Sequence, residues 1–490
     1  MPVALKTVWD AAAFLYDHLL VVNCILSVVI IFFQRKNPTS VWTWLLLLYF
    51  IPIVGFILYL LIGGDMHKSK MFRTKEVEDH IHEAIRSQEA SIRTRTLWTE
   101  YPNLKKYSDL IYYNLESAGV VLTDNNRIKI FTDGNEKFDA LLEDMRRAEK
   151  SIHIQYYIIK NDVLFARIKE VLRERAKTGV EVRVLYDGMG GRFAGKRCWR
   201  ELNADGVQTA VFFPPLLGKL NLRVNYRNHR KIAVIDGRIG YVGGFNIGKE
   251  YIGLDERFGY WRDTHLRMEG LAVSQLQLRF ILDWNYAARE NLLQDDNEYF
   301  SASEERLGSS GVQIVSSGPD SAMQNVRNNY LRLIHKAERS IYIQTPYFVP
   351  DEAVYSALLV AVYSGVDVNI MIPCKPDHPF VYWATYSYIG DLVMAGAKCY
   401  TYDNGFLHAK GLVVDEQVLC YGTANMDIRS FRLNFEVNAV VYDEKEAEKM
   451  VEAFRKDLAV CTRITKERYT SRKLRIRVKE QVSRLLSPLL

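Results

Sequence analysis

One chemical cassette occurs twice in this chain with the spacing His-x-Lys-x-x-x-x-Asp, as "HRKIAVID" (His229, Lys231, Asp236) and as "HAKGLVVD" (His408, Lys410, Asp415). An imidazole attacks phosphorus or relays a proton near neutral pH, and a lysine beside it neutralises phosphate oxygens as charge builds in a transition state. Each aspartate lies beyond a short apolar run, "IAVI" or "GLVV", whose β-branched character reads as buried strand. On a strand, residues two apart share a face, so His229 and Lys231 are expected to project together, as are His408 and Lys410. A lysine set in an apolar strand needs an anion. A lone histidine is usually an ordinary core or surface residue, but two copies with a fixed lysine partner reverse that reading and predict one site built from two halves.

The duplication extends well beyond the cassettes. "AEKSIHIQYY" (148–157) parallels "AERSIYIQTPY" (337–347), and "TGVEVRVLYDG" parallels "SGVDVNIMIPC". In each half a helical stretch leads to a strand, a second helix to another strand, and the His-Lys strand is expected last, which is an α/β pattern with largely buried sheets. The expected organisation is a first repeat over 125–290, a polar connector at 301–311 ("SASEERLGSSG") and a second repeat over 312–460, with a linker over 64–124 and a basic tail over 461–490. Small-residue turns follow each cassette, "GGFN" ending at Asn246 and "GTAN" ending at Asn425.

At the start of the chain, the uncharged run Val41–Ile62 would reach about 33 Å as a helix, enough to cross a hydrocarbon core of roughly 30 Å. A second apolar run at 19–33 must extend back towards Ala11 to do the same. No small-residue cleavage site follows Phe33, so a retained two-helix transmembrane hairpin within residues 1–63, with spans at about 11–33 and 41–62, is expected rather than a removed leader. Lys68, Lys70, Arg73 and Lys75 outnumber Arg35 and Lys36 of the connecting loop, which places the catalytic part in the cytoplasm of a multi-pass protein. The six cysteines show no metal or disulfide spacing, and no metal site or cofactor is expected. The net charge is +6, and residues 463–490 alone carry nine Lys or Arg against two Glu. Val478, Val482, Leu485 and Leu489 fall on one helical face, so this end is expected on an anionic membrane surface, as a solvated basic helix, or as an alternating strand through "LRIRVK". Nucleic acid is the poorer partner for a membrane-tethered chain whose remainder is neutral.

The paired cassettes, the Gly-x-x-Asn turns and the strand "IHIQYYI" resemble the phospholipase D superfamily, in which two such halves pack together and share one active site. "YRNHRKIAVIDGRIGYVGGFNIGKEYIG", "FGYWRDTHLRMEG" and "GTANMDIRSFRLNFEVNAVVYD" are similar to bacterial cardiolipin synthases, over nearly the whole chain. The resemblance implies a bacterial inner-membrane enzyme that joins two phosphatidylglycerol molecules into cardiolipin and glycerol through a phosphohistidine. It implies His229 as nucleophile and His408 as acid and base. Lys231, Lys410, Asn246 and Asn425 would bind phosphate oxygens. Asp236 and Asp415 belong to the family's catalytic motif, although their strand position points to support of the fold. Asp263 and Glu436 are candidates to orient the imidazoles, and Gln155 and Tyr347 to line the cavity. The family's Gly-Ser turn appears here as Gly243-Gly244 and Gly422-Thr423, so a hydroxyl for phosphate is expected in one half only. The cassette leaves the acceptor open: a membrane-bound phospholipase D or a phosphatidylserine synthase uses the same scheme, and a non-catalytic membrane scaffold that binds anionic lipid is the rival from another class.

Overall fold

The computed structural model describes residues 3–32, 38–59, 85–214, 225–293, 299–300, 307–321, 323–485 and 487. The first half contributes nine strands: β1 (Thr123–Phe131), β2 (Ser151–Tyr156), β3 (Glu181–Asp187), β4 (Gln208–Phe212), β5 (Arg227–Asn228), β6 (Ile232–Ile235), β7 (Ile239–Gly243), β8 (Trp261–Arg262) and β9 (His265–Glu269). The second contributes β10 (Ser310–Ser317), β11 (Ser340–Gln344), β12 (Phe348–Val349), β13 (Asp367–Pro373), β14 (Lys398–Tyr402), β15 (Phe406–Leu407), β16 (Gly411–Val414), β17 (Val418–Gly422), β18 (Met426–Asp427), β19 (Asn434–Tyr442) and β20 (Cys461–Ile464).

One mixed sheet runs through both halves in the order β20-β14-β13-β11-β16-β17-β19-β10-β1-β9-β7-β6-β2-β3-β4, with β5 attached to β19. Read outward from the β10–β1 seam the two sides match strand for strand through β14 and β4, with β20 added at the edge of the second, so the sequence repeat is a repeat of topology. The strands β2, β3 and β4 pair in parallel, as do β11, β13 and β14, whereas the strands after each cassette run antiparallel. The His-Lys strand is therefore not the last of its half. β7 and β9 follow β6, and β17 and β19 follow β16, because hairpin returns bring the chain back to the seam.

The sheet is buried on both faces, which explains the near-continuous apolar strands. On one face of each half, helices close a separate core with their apolar sides: α4 (Gly134–Arg146) and α5 (Val163–Lys177) in the first, and α7 (Asn325–Lys336) and α8 (Glu352–Tyr363) in the second. A third core lies between the halves. There Ile232, Val234, Val242 and Leu266 meet Val413, Leu419, Tyr421 and Val437, flanked by α6 (Ala272–Ala288) and α10 (Glu444–Asp457). That apolar contact fixes the two halves as one body.

At the N-terminal end, α1 (Val3–Phe32) packs against α2 (Pro38–Phe50) and α3 (Pro52–Leu58). The apolar run expected as one helix over 41–62 is broken at Ile51, because Pro52 has no N–H to give and its ring clashes with the preceding turn. The Leu48 carbonyl so freed accepts instead from Asn23 Nδ2 at 3.0 Å, which is why a polar residue sits buried in this apolar pair. Among the described residues no helix is long and apolar enough to cross a membrane. Lys68, Lys70, Arg73, Lys75, Arg35, Lys36 and most of the 301–311 connector lie outside the described residues. The expected tail begins as β20, an edge strand paired with β14, and continues into α11 (Leu474–Leu485), so "LRIRVK" is helix and not strand. All six cysteines are free.

Candidate active site

The cassettes lie where short strands cross between the halves. β5 of the first half pairs in parallel with β19 of the second, and β15 of the second with β8 of the first. Consequently the His229 N–H donates to the Phe435 carbonyl at 3.0 Å, and the His408 N–H donates to the Arg262 carbonyl at 2.7 Å. His229 and Lys231 themselves lie in the extended link between β5 and β6, and His408 and Lys410 in that between β15 and β16, just outside the strands proper. They act together for a reason the strand argument did not supply: each lysine side chain folds back on its own histidine. Lys231 Nζ donates to the His229 carbonyl at 2.6 Å, and Lys410 Nζ donates to the His408 carbonyl and lies 2.7 Å from His408 Nδ1.

The backbone crossing sets up an exchange of carboxylates. Glu436, one residue past the strand pair on β19, meets His229 Nδ1 at 2.9 and 3.0 Å. Asp263, one residue past β8, meets His408 Nδ1 at 2.6 Å. Each imidazole is thus held by the acid of the opposite half through Nδ1, and Nε2 lies outside these contacts. Both acids are wholly buried and further fixed: Glu436 accepts from Thr423 Oγ1 at 2.5 Å and Asn434 Nδ2 at 3.2 Å, and Asp263 Oδ1 accepts from the Thr264 N–H at 2.8 Å. Aromatic rings wall the imidazoles, Tyr157 edge-on to His229 at 5.1 Å and Trp261 against His408 at 4.9 Å.

Burial governs the titration of this cluster. It pushes both imidazoles down to about 4, a shift that Glu436 and Asp263 oppose and the lysines reinforce. Lys410 acts on His229 and Lys231 on His408, so each half's cation is felt by the other half's imidazole. Burial likewise lowers Lys410 to about 8 and Lys231 well below an ordinary lysine. It raises both acids too, but the neighbouring lysines and imidazoles outweigh it and hold Asp263 and Glu436 below the usual carboxylate range. The site therefore sets two neutral imidazoles and two lysines that burial makes easier to deprotonate against two carboxylates, and an arriving anion would favour the protonated forms of all four bases.

Asp236 and Asp415 sit at the far ends of β6 and β16, each in a left-handed backbone turn. The Asp236 carboxylate accepts from the N–H groups of Glu149, Lys150 and Ser151, and that of Asp415 from Glu338, Arg339 and Ser340 and from Lys106 Nζ at 2.8 Å. They tie the start of β2 and β11 to the cassette strand. Asn246 has both amide ends engaged, by the Ile158 N–H and the Tyr251 hydroxyl at 3.0 Å each, whereas the Asn425 carbonyl oxygen is buried with no partner among the described residues. Gln155 is buried and donates to Asn228 and Asp283, and the Tyr347 hydroxyl donates to Asp377. The turn residues behave differently from the expectation of a free phosphate-binding hydroxyl. Thr423 spends its hydroxyl on Glu436, and at Gly244 a Cβ would lie 1.9 Å from Asp263 Oδ1, so the acid occupies the space a serine would need.

Three partners had no readable signal in the sequence. Asp187 accepts from the Asn228 N–H at 3.0 Å and so positions the residue before His229. Arg230 makes a doubly hydrogen-bonded pair with Asp283, and Arg262 with Asp457. The only available hint was that Arg230 sits inside the first cassette, where the second has Ala409.

The family described as "Cardiolipin synthase, PLD-like domain" matches residues 141–257 and 330–458, the two stretches that hold the cassettes. The chain belongs to the phospholipase D-like cardiolipin synthase family. An N-terminal family, "Phospholipase_D-nuclease N-terminal", matches residues 21–64. The chain is 49% identical to the "Major cardiolipin synthase ClsA" of Bacillus subtilis (strain 168), over 96% of this chain and 98% of that protein. It is 47% identical to a cardiolipin synthase of Listeria innocua over 98% and 99%. The crystal structure of phosphatidylserine synthase from Haemophilus influenzae Rd KW20 shares the fold, with a TM-score of 0.56 at 17% identity over 74% of this chain and 92% of that one.

Proposed function

We propose that the chain is a phosphatidyltransferase that makes cardiolipin and glycerol from two phosphatidylglycerol molecules. The observation that carries the reading is the reciprocal pair of buried imidazole–carboxylate contacts, His229 with Glu436 and His408 with Asp263, beside two buried lysines. In the first step His229 Nε2 attacks the phosphorus, the bond from phosphorus to the glycerol oxygen breaks, and His408 gives that oxygen its proton. In the second, His408 takes the proton from a hydroxyl of the other phosphatidylglycerol, whose oxygen displaces His229. Two inversions give retention at phosphorus. An incoming phosphodiester brings one negative charge into a site that burial has stripped of protons, and so raises the affinity of His408 for the proton it must donate. Lys231 and Lys410 neutralise the phosphate oxygens, Glu436 stabilises the cationic phosphohistidine, and Asn246 and Asn425 act by shaping the loops beside the phosphate.

The apolar N-terminal helices fit a membrane anchor. Val21, Ile25, Phe32, Trp42, Leu46, Phe50, Ile53 and Ile57 are exposed on α1, α2 and α3, and α2 with α3 together would cover about 30 Å across their kink. In lipid the Asn23 contact to the Leu48 carbonyl would meet the rule that no backbone polar group is left unpaired. We read α1 and the kinked α2–α3 pair together as the anchor that holds the chain at the bacterial inner membrane and keeps the site beside its lipids.

The test is product analysis by mass spectrometry after supplying labelled phosphatidylglycerol in vesicles, with water, glycerol and serine as competing acceptors. Cardiolipin with equimolar glycerol supports the reading. Phosphatidic acid or phosphatidylserine as the main product would replace it with a hydrolase or a serine transferase.

A further inference from the structure

Helix α11 is packed the wrong way round for a soluble protein. It lies along α9 (Pro379–Ala395) and is fastened there by its polar residues. Glu480 is fully buried and paired with Arg472 at 2.8 Å, Ser483 and Ser487 are buried, Ser487 meets the Tyr388 hydroxyl, and Arg484 pairs with Asp391 at 2.6 Å. Its large apolar residues, the half-buried Ile476 excepted, point away: Leu474 is 74% exposed, Val478 53%, Val482 48% and Leu485 76%. These four fall on one stripe opposite Glu480 and Ser483, at the i, i+4, i+8 spacing of a helix face. An amphipathic helix that buries its polar side and shows its apolar side has a further partner to meet.

The charges around the stripe say which partner. Lys473, Arg475, Arg477 and Lys479 are exposed beside it, and Glu480, the one acid in α11, is spent internally. A second copy of the chain seated on the same stripe would bring these cations against their own kind. A nucleic acid would use the cations but leave the apolar stripe in water. An anionic bilayer accepts both at once, the stripe among acyl chains and the ammonium and guanidinium groups among headgroups.

We propose that α11 lies in the plane of an anionic membrane surface and holds the rim of the active site against it. Lys479 stacks over Trp383, and Phe380, one turn earlier on α9, is 58% exposed and extends the apolar surface. The segment just before α9 reaches the catalytic cluster, since Asp377 accepts from Tyr347 and its charge acts on Lys410. Docking of α11 therefore sets the height of the α9 end, and with it the site, above the lipid plane. The inference deepens the reading that the substrates are membrane lipids.

The experiment uses the full chain reconstituted in vesicles, with Cys24, the exposed native thiol, replaced by Ser. An environment-sensitive fluorophore is placed at Val478→Cys, Val482→Cys or, as a control off the stripe, Arg477→Cys. Vesicles contain phosphatidylglycerol, phosphatidic acid in its place, or phosphatidylcholine alone. The expected result is a blue shift and quenching by acyl-chain nitroxides at 478 and 482, much weaker at 477, in both anionic vesicles and not in the neutral one. In Arg475→Glu with Lys479→Glu, bilayer occupancy falls about fivefold per cation removed. The cardiolipin rate in vesicles drops with it, and the rate in detergent micelles is unchanged. Labels that stay aqueous in every vesicle, insertion that is equal in neutral lipid, or crosslinking of 478 to 478 between copies would each overturn the proposal. Cardiolipin is measured in the same vesicles: product without label insertion sinks this inference alone, and insertion without product sinks the assigned reaction alone.

Discussion

Replacing Glu436 by Gln keeps the shape of the side chain and removes its charge from a contact of 2.9 and 3.0 Å to His229 Nδ1, with Glu436 wholly buried. Two effects follow. A neutral amide no longer stabilises the positive charge that His229 carries as a phosphohistidine. With charge centres about 4 Å apart and an effective dielectric near 20, that interaction is worth about 4 kcal/mol, or roughly a thousandfold in rate. An amide can also donate to Nδ1, which moves the imidazole proton to Nε2 and blocks the attacking lone pair, an effect in the same direction. The fold is retained, since the Gln carbonyl can still accept from Thr423. The assay is the initial rate of cardiolipin formation from phosphatidylglycerol vesicles, with the melting temperature measured on the same preparation. A loss of about a thousandfold in kcat with little change in KM is expected, and Glu436→Asp should recover part of it. If Glu436→Gln keeps activity within about threefold of the unsubstituted chain, the orienting role is wrong.

Other substitutions separate chemistry from scaffold. Asp236→Ala leaves three backbone N–H groups without their charged acceptor and should lower stability by about 3 kcal/mol, read by denaturant unfolding, while the folded fraction keeps its kcat. Gly244→Ser forces a side chain into the place of the Asp263 carboxylate and should cost activity as severely as Asp263→Asn, measured side by side. The two imidazoles give a pH signature. Both titrate near 4 when folded and near 6.5 when unfolded, so between these values the unfolded chain binds more protons. Stability is complete above about pH 6.5 and falls as the pH drops towards 4. The slope of melting temperature against pH in that window should flatten in the His229→Ala, His408→Ala double variant.

The cassette and the duplication of α/β units could be read from the sequence, because both follow from local periodicity and repeated segments, whereas the strands that return to the seam after each cassette were not foreseen. The acids Asp263 and Glu436 stood out as candidates, but which imidazole each serves is set by β5 pairing with β19 and β8 with β15, which bring together residues 207 and 145 apart in the chain and leave no local pattern. The same holds for Asp187, Asp283 and Asp457. The break at Pro52 was visible as a residue and was outweighed by the continuous apolar run around it. The tail showed its amphipathic spacing, yet spacing fixes the faces of a helix and not which one the protein keeps, and α11 keeps the polar one.

The central claim is that both cassettes serve one phosphorus atom. The rates of cardiolipin formation by His229→Ala, His408→Ala and the double variant test it most directly. One shared site predicts that each single change abolishes turnover by about a thousandfold or more and that the double variant is no slower than the worse single one. If each single variant instead retained about half of the rate and only the double variant were inactive, the halves would be two independent sites and the account would be wrong.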